Sequence, residues 1–299
     1  MSTDAKAAPP PIPKTIGRFS IVRLLGTGCM GSTYLGQDEE NLRFAVKVMT
    51  APAAVKKYDW AGKLQTDIEH PNVMKYVELP FDSKYQYLVV TDYLDVVPAG
   101  FEPLRSRTFE EIIEIYAKAA DALAFLESKG IVHGNVKPSN ILCRKTKTEF
   151  YPLVADGGLR YKNEASHVKG DVAAAIFPYM APEHLEAFTK EPKAEQPASA
   201  AGDVYSLAVS FVEALTGTTP FKLHVEKPGD PKEELEAKRK KRYRVIFKND
   251  PSTPIDAKKV DDLVSRALGA DPTKRPSMKD FALQLRGAID AAKLAALSK

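Results

Sequence analysis

Cysteine is scarce in this chain. Its 299 residues include two, Cys29 and Cys143. Two cysteines cannot staple a small fold, and they lack metal-site spacing. They suit a reducing compartment. Long apolar runs are missing too. The most apolar stretches, such as 207–215, fall far short of the ~20 residues that cross a bilayer. Residues 1–17 lack the apolar core of a secretory signal. The expectation is a cytoplasmic protein with no membrane segment in this chain. Excess charge is also small: 43 Lys and Arg against 39 Asp and Glu leave +4. That is a weak pull toward acidic partners and no argument for nucleic acid. The remaining composition, 44% hydrophobic and 27% charged, is that of a folded globular chain long enough to bury a large core.

Along the chain the pattern changes once. Residues 1–16 are rich in Ala, Pro and Lys and read as a flexible tail. From 17 to about 95, strands are expected at Phe19 to Leu25, Ser32 to Gln37, Arg43 to Met49 and Tyr87 to Tyr93, from their β-branched and aromatic residues. One helix, from about Ala53 to Glu69, interrupts them. Beyond 95 helices dominate. Thr108 is the N-cap of a long one, with Glu111 completing a capping box. Ile112, Ile115, Tyr116, Ala119, Leu123 and Leu126 recur at helical spacing, and Gly130 ends it. Further helices are expected over 202–216, 256–268 and 277–297. There is no internal repeat. The organisation is α+β: a small β-rich lobe over about 17–95, a larger helical lobe over about 96–291, and a helix end or tail over 292–299. A cleft between lobes is a favoured ligand site.

Gly26, Gly28 and Gly31 form a G-x-G-x-x-G string, which a dinucleotide-binding βαβ unit also carries. There the loop runs into a helix. Here Ser32 to Gly36 reads as another strand, and Phe44 to Val48 follows as a strand with a single lysine, Lys47, among apolar residues. Lysine is costly to bury without an anionic partner. A strand–glycine turn–strand lets backbone N–H groups approach phosphates, with Lys47 as the cation. The plainer alternative is a hairpin with a snorkelling lysine.

The ordered landmarks resemble a eukaryotic-type protein kinase domain, in a style closest to bacterial serine/threonine kinases, from Gly17 to about Ala291. After the glycine loop and Lys47 come His70-Pro71-Asn72, then Val90 to Leu94, which resembles the hinge with Thr91 as gatekeeper. His133 and Lys137 to Leu142 follow, then Asp156-Gly157-Gly158, Met180 to Glu183, Asp203 to Leu207 and Asp271 to Pro276. The resemblance implies the bilobal kinase fold and an ATP and Mg²⁺ site. Lys47 would reach the α/β-phosphates, Asn140 and Asp156 the metal, and Lys137 the γ-phosphate. Leu25, Ala45 and Leu142 would sandwich adenine, and the backbone of Asp92 and Leu94 would bond its edge. Asp203 would hold the catalytic-loop backbone, and Glu183 would pair with Arg275.

The chain departs from that family where chemistry is done. The family's His-Arg-Asp is His133-Gly134-Asn135 here, and Asn135 is neutral and cannot act as a base. Losing a positioned base costs about 10²–10⁴ in rate. The middle phenylalanine of the Asp-Phe-Gly motif is Gly157. Ala175 and Ile176 stand where the family has Gly-Thr. The glutamate expected to pair with Lys47 falls near Trp60 or Ala61, with Asp59 the nearest carboxylate. The 156–183 segment holds one serine, Ser166, and no threonine, and the arginine that would grip an activating phosphate is Gly134. The expected function is therefore a pseudokinase that binds ATP and Mg²⁺ and works as a scaffold or allosteric partner of another protein. The alternatives are a slow Ser/Thr kinase or other ATP-dependent transferase, and a nucleotide-free interaction module. The basic run Lys238 to Arg244 reads as an exposed helix face, with Glu234–Lys238 and Glu236–Lys240 as i,i+4 pairs. Cys29 and the histidines 70, 133 and 167 form no metal grouping.

Overall fold

A computed structural model describes residues 12–28, 31–49, 68–78, 81–82, 86–145, 150–157, 171–190, 198–240 and 255–297. The expected helix from Ala53, the carboxylate near Trp60, Cys29, Gly158, Ser166, His167 and residues 241–244 lie outside these. Two compact units emerge. One holds the described residues up to 61 together with Lys75–Leu94; the other holds those of 62–74 and everything described from Asp95 onward.

The first unit is an antiparallel sheet. Strands β1 (Thr15–Ile16), β2 (Phe19–Gly28), β3 (Gly31–Gln37), β4 (Arg43–Met49), β5 (Tyr76–Glu78), β6 (Phe81–Asp82) and β7 (Gln86–Asp92) run in the order β1-β2-β3-β4-β7-β5, with β6 also on β7. Alternation sets its two faces. Phe44 and Val46 point to one side and bury with Ile16, Phe19, Tyr34 and Val90. Ala45 and Lys47 therefore point to the other, beside Leu35 and Thr33 on β3 and Thr91 and Val89 on β7. Gly36 has a packing reason to be glycine: a Cβ there would come within 3.0 Å of Phe19 and 3.1 Å of Val46.

The second unit is mainly helical. A small sheet of β8 (Val96–Pro98), β9 (Ile141–Lys145) and β10 (Phe150–Val154) runs in the order β10-β9-β8. Residues 72–74 belong to this unit because they pair with β10: Met74 N–H bonds Val154 O at 2.8 Å, Val154 N–H bonds Asn72 O at 2.8 Å, and Asn72 Nδ2 bonds Pro152 O at 2.8 Å. The helices are α1 (Phe101–Leu104), α2 (Phe109–Ser128), α3 (Asp171–Ala174), α4 (Pro182–Lys190), α5 (Ala200–Thr216), α6 (Pro231–Lys240), α7 (Ala257–Ala267) and α8 (Met278–Leu297).

Local chemistry explains their ends. Thr108 and Glu111 close a reciprocal capping box on α2, with Glu111 N–H on Thr108 Oγ1 at 3.1 Å and Thr108 N–H on Glu111 Oε2 at 2.7 Å. Gly130 follows α2 at φ +74. Ser199 caps α5, and Gly217, at φ +75, ends it. α5 is buried almost all round, which fits its apolar sequence and marks it as the core helix. α7 is amphipathic and buries Val260, Leu263, Val264 and Ala267 at helical spacing. Arg286 on α8 straps α2 through Asp121, 2.7 Å away, and Glu114 at 3.3 Å. No described helix is long and apolar enough to cross a membrane.

Two sequence expectations are corrected here. The flexible tail expected over 1–16 does not reach residue 16, because Thr15 and Ile16 pair with β2 and Ile16 is buried in the sheet core. The second concerns the basic run. Glu234 and Lys238 do pair at i,i+4, but they are buried rather than exposed: their side chains keep 5% and 0% of their surface. Glu236–Lys240 is the exposed pair. The i,i+4 spacing looks the same on either face of a helix, and the neighbouring turn at 177–180 covers this one.

Candidate functional site

The sequence-predicted residues fall into two groups, one in each unit. In the sheet unit, Gly26, Gly28 and Gly31 sit where β2 turns into β3, with Gly28 opposite Gly31. The β2–β3 register slips between Leu24 and Gly26, and Leu25 lies at that irregularity. A Cβ added at Gly26 or Gly28 would meet nothing within 4 Å. Packing among the described residues thus gives no reason for glycine at either place, in contrast to Gly36. Ala45 and Lys47 share one sheet face, two residues apart on β4. Asp92 ends β7, and Leu94 follows it, half-buried. The intervening Tyr93 N–H bonds Arg43 O at 3.1 Å, which extends the β4–β7 pairing up to this point.

The helical unit holds the loop 131–140 between α2 and β9. Its anchor is Asp203, at the start of α5 and 6% exposed. One carboxylate oxygen accepts from His133 N–H and the other from Gly134 N–H, both at 2.8 Å. This is the holding role the resemblance implies. Gly134 takes φ +73, a conformation open to glycine at little cost. His133 is 1% exposed. Its Nδ1 accepts from Asn135 N–H at 3.2 Å, so the proton resides on Nε2, which donates to Ala155 O at 2.9 Å. Burial holds its pKa down to about 4, so the ring is neutral.

Asn140 continues the frame. Its Nδ2 donates to Asn135 O at 2.8 Å, and Ala155 N–H donates to Asn140 O at 2.9 Å. With the amide nitrogen committed, Oδ1 is the side-chain acceptor left to a ligand. Asp156 comes directly after Ala155, which His133 and Asn140 grip from two sides. It is held at φ +60, unusual for a residue other than glycine. One amide oxygen and one carboxylate make the hard-oxygen donor pair that suits Mg²⁺ bound together with phosphates. Lys137 is 8% exposed, ahead of the Pro138–Asn140 turn, and Leu142 lies on β9. Gly157 is buried, and a Cβ there would come within 3.2 Å of Leu126 and 3.7 Å of His133.

Asn135 is the exception in this well-bonded loop. Its Nδ2 is buried and has no hydrogen-bond partner among the described residues. It lines a small recess together with Gly134, Ile176, Tyr179, His184 and Asp203. Ile176 is 6% exposed. The structure thus brings together three of the positions at which the sequence departs from the family: Gly134, Asn135 and Ile176. Sequence reasoning had not singled out His184, whose ring lies against Gly202 and meets Ser199 Oγ at 3.1 Å through Nε2.

Behind the loop, Arg275 makes the expected pair with Glu183. Nη1 and Nη2 each donate to a carboxylate oxygen at 2.7 Å, Nη1 also reaches Ala201 O at 2.9 Å, and Nε donates to Gly269 O at 2.9 Å. The fork geometry holds Glu183 ionised, below the usual carboxylate range, against the effect of burial. Among the described residues no three His, Cys, Asp or Glu side chains cluster as a metal site.

Comparison with known proteins agrees with this arrangement. The protein kinase domain family matches residues 19–284. Serine/threonine-protein kinase Pkn1 of Myxococcus xanthus is 29% identical over 215 residues, covering 69% of this chain and 30% of Pkn1. Aurora kinase B of Mus musculus is 25% identical over 282 residues, 90% of this chain and 73% of that protein. The crystal structure of the Mycobacterium tuberculosis PknI kinase domain superposes with a TM-score of 0.61 at 22% identity, covering 92% of this chain and 97% of that one. The chain spans less than half the length of several of the curated relatives it matches. With a kinase fold, the family match over most of its length and an Asp203-anchored loop, this chain belongs to the protein kinase domain family.

Proposed function

We propose that this protein is a pseudokinase: a kinase-fold domain that binds ATP with Mg²⁺, transfers phosphoryl groups poorly or not at all, and acts on a partner protein through its nucleotide-bound state. The observation that carries this reading is the loop 131–140. Asp203, His133 and Asn140 hold it in place, yet the side chain it presents at the base position is the amide of Asn135. The frame is kept and the base is not. A neutral amide cannot take a proton from a hydroxyl.

Nucleotide binding is supported by the glycines. Among the described residues nothing packs against Gly26 or Gly28 closely enough to require glycine, and a backbone free of Cβ atoms can approach phosphates closely. Leu25, Gly26, Gly28, Gly31, Ala45, Lys47, Asp92, Leu94 and Leu142 are the residues that would hold ATP. Asn140 and Asp156 would hold Mg²⁺, which would supply charge neutralisation at the phosphates. Lys137 would pair with the terminal phosphate, and Asn135 would donate, rather than accept, a hydrogen bond there. ATP would favour one arrangement of the domain and so set how a partner surface is presented.

Thermal unfolding with ATP, with and without Mg²⁺, tests this. If ATP binds at about 10 μM, 1 mM ligand adds about 2.7 kcal/mol, and the midpoint rises several degrees. The rise should need Mg²⁺ and vanish in Asp156→Ala. No rise at millimolar ATP would refute nucleotide binding and favour a nucleotide-free interaction module. The intact loop frame also supports a second reading, a slow kinase or other transferase, because phosphoryl transfer depends mostly on positioning. Label from γ-³²P-ATP, or from α-³²P-ATP for AMP transfer, that is lost in Lys47→Ala and Asp156→Ala would favour that reading over a pure scaffold.

A further inference from the structure

α6 carries a buried cation. The Lys238 side chain has no exposed surface. Its ammonium donates to the carbonyl oxygens of Phe177 and of Met180, the latter at 2.8 Å. A carboxylate oxygen of Glu234, one turn earlier, lies 3.8 Å away. The ring of Tyr205 on α5 is centred 5.8 Å from this ammonium and 5.0 Å from the Arg275 guanidinium.

A second attachment precedes the helix. Gly229, at φ +87, runs against the backbone of residues 173–174, where a Cβ would come within 2.7 Å of Ala174 N. The stretch between the two attachments is firmly bonded. Glu233 Oε2 accepts from the N–H groups of Glu226 and Lys227, each at 2.9 Å. Asp230 Oδ1 accepts from Lys232 and Glu233 N–H at 2.9 and 3.1 Å. Residues 226–240 thus form one braced piece that grips the 173–180 segment near both its ends.

Burying a lysine is expensive, and an apolar residue of similar length is often at least as stable at such a site. The cost shows in both partners: burial pulls the Lys238 pKa down to about 8 and pushes the Glu234 carboxyl up. What lysine supplies and an apolar side chain cannot is a pair of N–H donors for the carbonyls of a turn. That turn carries Ile176 and Tyr179 into the recess beside Asn135. The same region has little provision for a phosphate. The 156–183 segment holds a single serine, Ser166, and no threonine, and the loop presents Gly134 rather than a cation.

We propose that Lys238 is a positioning residue, a built-in cation that sets the 173–180 segment against the Asn135 loop with no need of phosphorylation. The inference goes beyond the nucleotide-binding reading and stands on contacts within the helical unit, so it can fail or hold independently of ATP.

Hydrogen exchange read by mass spectrometry on the full chain tests it. In Lys238→Met, the amides of Phe177, Tyr179 and Met180 should exchange about tenfold faster or more, while those of α5 and α8 keep their protection. Adding Glu234→Gln removes the buried carboxylate left without its cation. The double variant should regain melting temperature without regaining local protection, which separates positioning from bulk stability. It also carries the same comparison should the single variant not fold. Ser166→Ala and Ser166→Glu should leave the protection of 173–180 unchanged. The proposal is overturned if protection of 173–180 is unaltered in Lys238→Met or returns in the double variant. It is equally overturned if protection falls to the same degree throughout the unit, or if Ser166→Glu raises it about tenfold.

Discussion

Asp203→Asn tests whether the loop frame is what the geometry says it is. In the native chain each carboxylate oxygen accepts one backbone N–H, from His133 and from Gly134, both at 2.8 Å in a site 6% exposed. An amide has one acceptor oxygen. Whichever way it turns, one N–H meets an NH₂ group and is left without a partner. A hydrogen bond to a charged group contributes about 1.5–3 kcal/mol, and a buried donor left unmet costs about 1–3 kcal/mol. Since these overlap, a loss of about 3 kcal/mol is expected. In a domain of roughly this size that lowers the melting temperature by about 6–12 °C. Asp271→Asn is the matched control: it removes the same charge from an exposed turn cap, where asparagine caps equally well. Calorimetry or circular dichroism of the two variants makes the comparison. If Asp203→Asn melts within a degree of Asp271→Asn, the two 2.8 Å bonds do not anchor the loop, and the argument from an intact frame fails with them.

Three further outcomes are expected. Gly36→Ala should destabilise by about 1–3 kcal/mol through its contacts with Phe19 and Val46; Gly26→Ala and Gly28→Ala should leave the ligand-free melting temperature nearly unchanged yet reduce the ATP-induced rise, and equal losses of stability at all three would refute the contrast. His133 should make stability pH-dependent: its folded pKa of about 4 lies below the unfolded value near 6.5, so the unfolded chain binds the extra proton between them. Stability is then full above about pH 6.5 and falls by about 3 kcal/mol as pH drops toward 4, on top of any carboxylate effect, and His133→Gln should flatten that part of the profile in urea titrations. Arg275→Met should cost about 3–5 kcal/mol, because it strands Glu183 and the carbonyls of Gly269 and Ala201, and chemical denaturation measures it.

The parts of the fold legible in the sequence were those with a local chemical signature. Thr108 and Glu111 announce the start of α2 because the capping box is a contact between residues three apart. The strands β2, β3, β4 and β7 were visible because β-branched and aromatic residues, which fit a pleated, half-buried surface, concentrate in them. Shorter strands, β5, β6 and β8, were not expected, since two or three residues carry no periodicity and their pairing is decided by distant partners. The roles of Asp203 and Glu183 came through family resemblance; no spacing rule links Asp203 to His133 across 70 positions. Lys238 shows the opposite failure. Its spacing from Glu234 is that of a surface pair, and only the turn at 177–180, some 60 residues earlier, turns it into a core residue. The orphaned Nδ2 of Asn135 was equally invisible. The sequence shows that the base is an amide, whereas the enclosing wall of Ile176 and its neighbours is a matter of packing.

Two residues in the loop region adopt left-handed backbone, and they differ in what that costs. Gly134 at φ +73 is glycine, so the conformation is nearly free. Asp156 at φ +60 has a Cβ, and holding it there costs on the order of 1 kcal/mol. A chain that had no use for the carboxylate could relieve that strain with a glycine, as it already has one at Gly157. Strain therefore persists at the position proposed to hold Mg²⁺ and is absent at Gly134, where the family resemblance would place a phosphate-gripping side chain. Asp156→Gly makes this measurable. In EDTA without nucleotide its melting temperature should change by no more than about a degree or two, since relief of strain offsets the interactions the carboxylate makes within the chain and the loop keeps its bonds through Ala155. With Mg²⁺ and ATP the variant should show none of the several-degree rise expected of the native chain. If instead Asp156→Gly loses several degrees with no ligand present, the carboxylate is a structural group, and its left-handed backbone says nothing about metal. If the ligand-induced rise survives, Mg²⁺ is held elsewhere. Only the combination of retained stability and lost ligand response fits a residue kept in a costly conformation for what it binds.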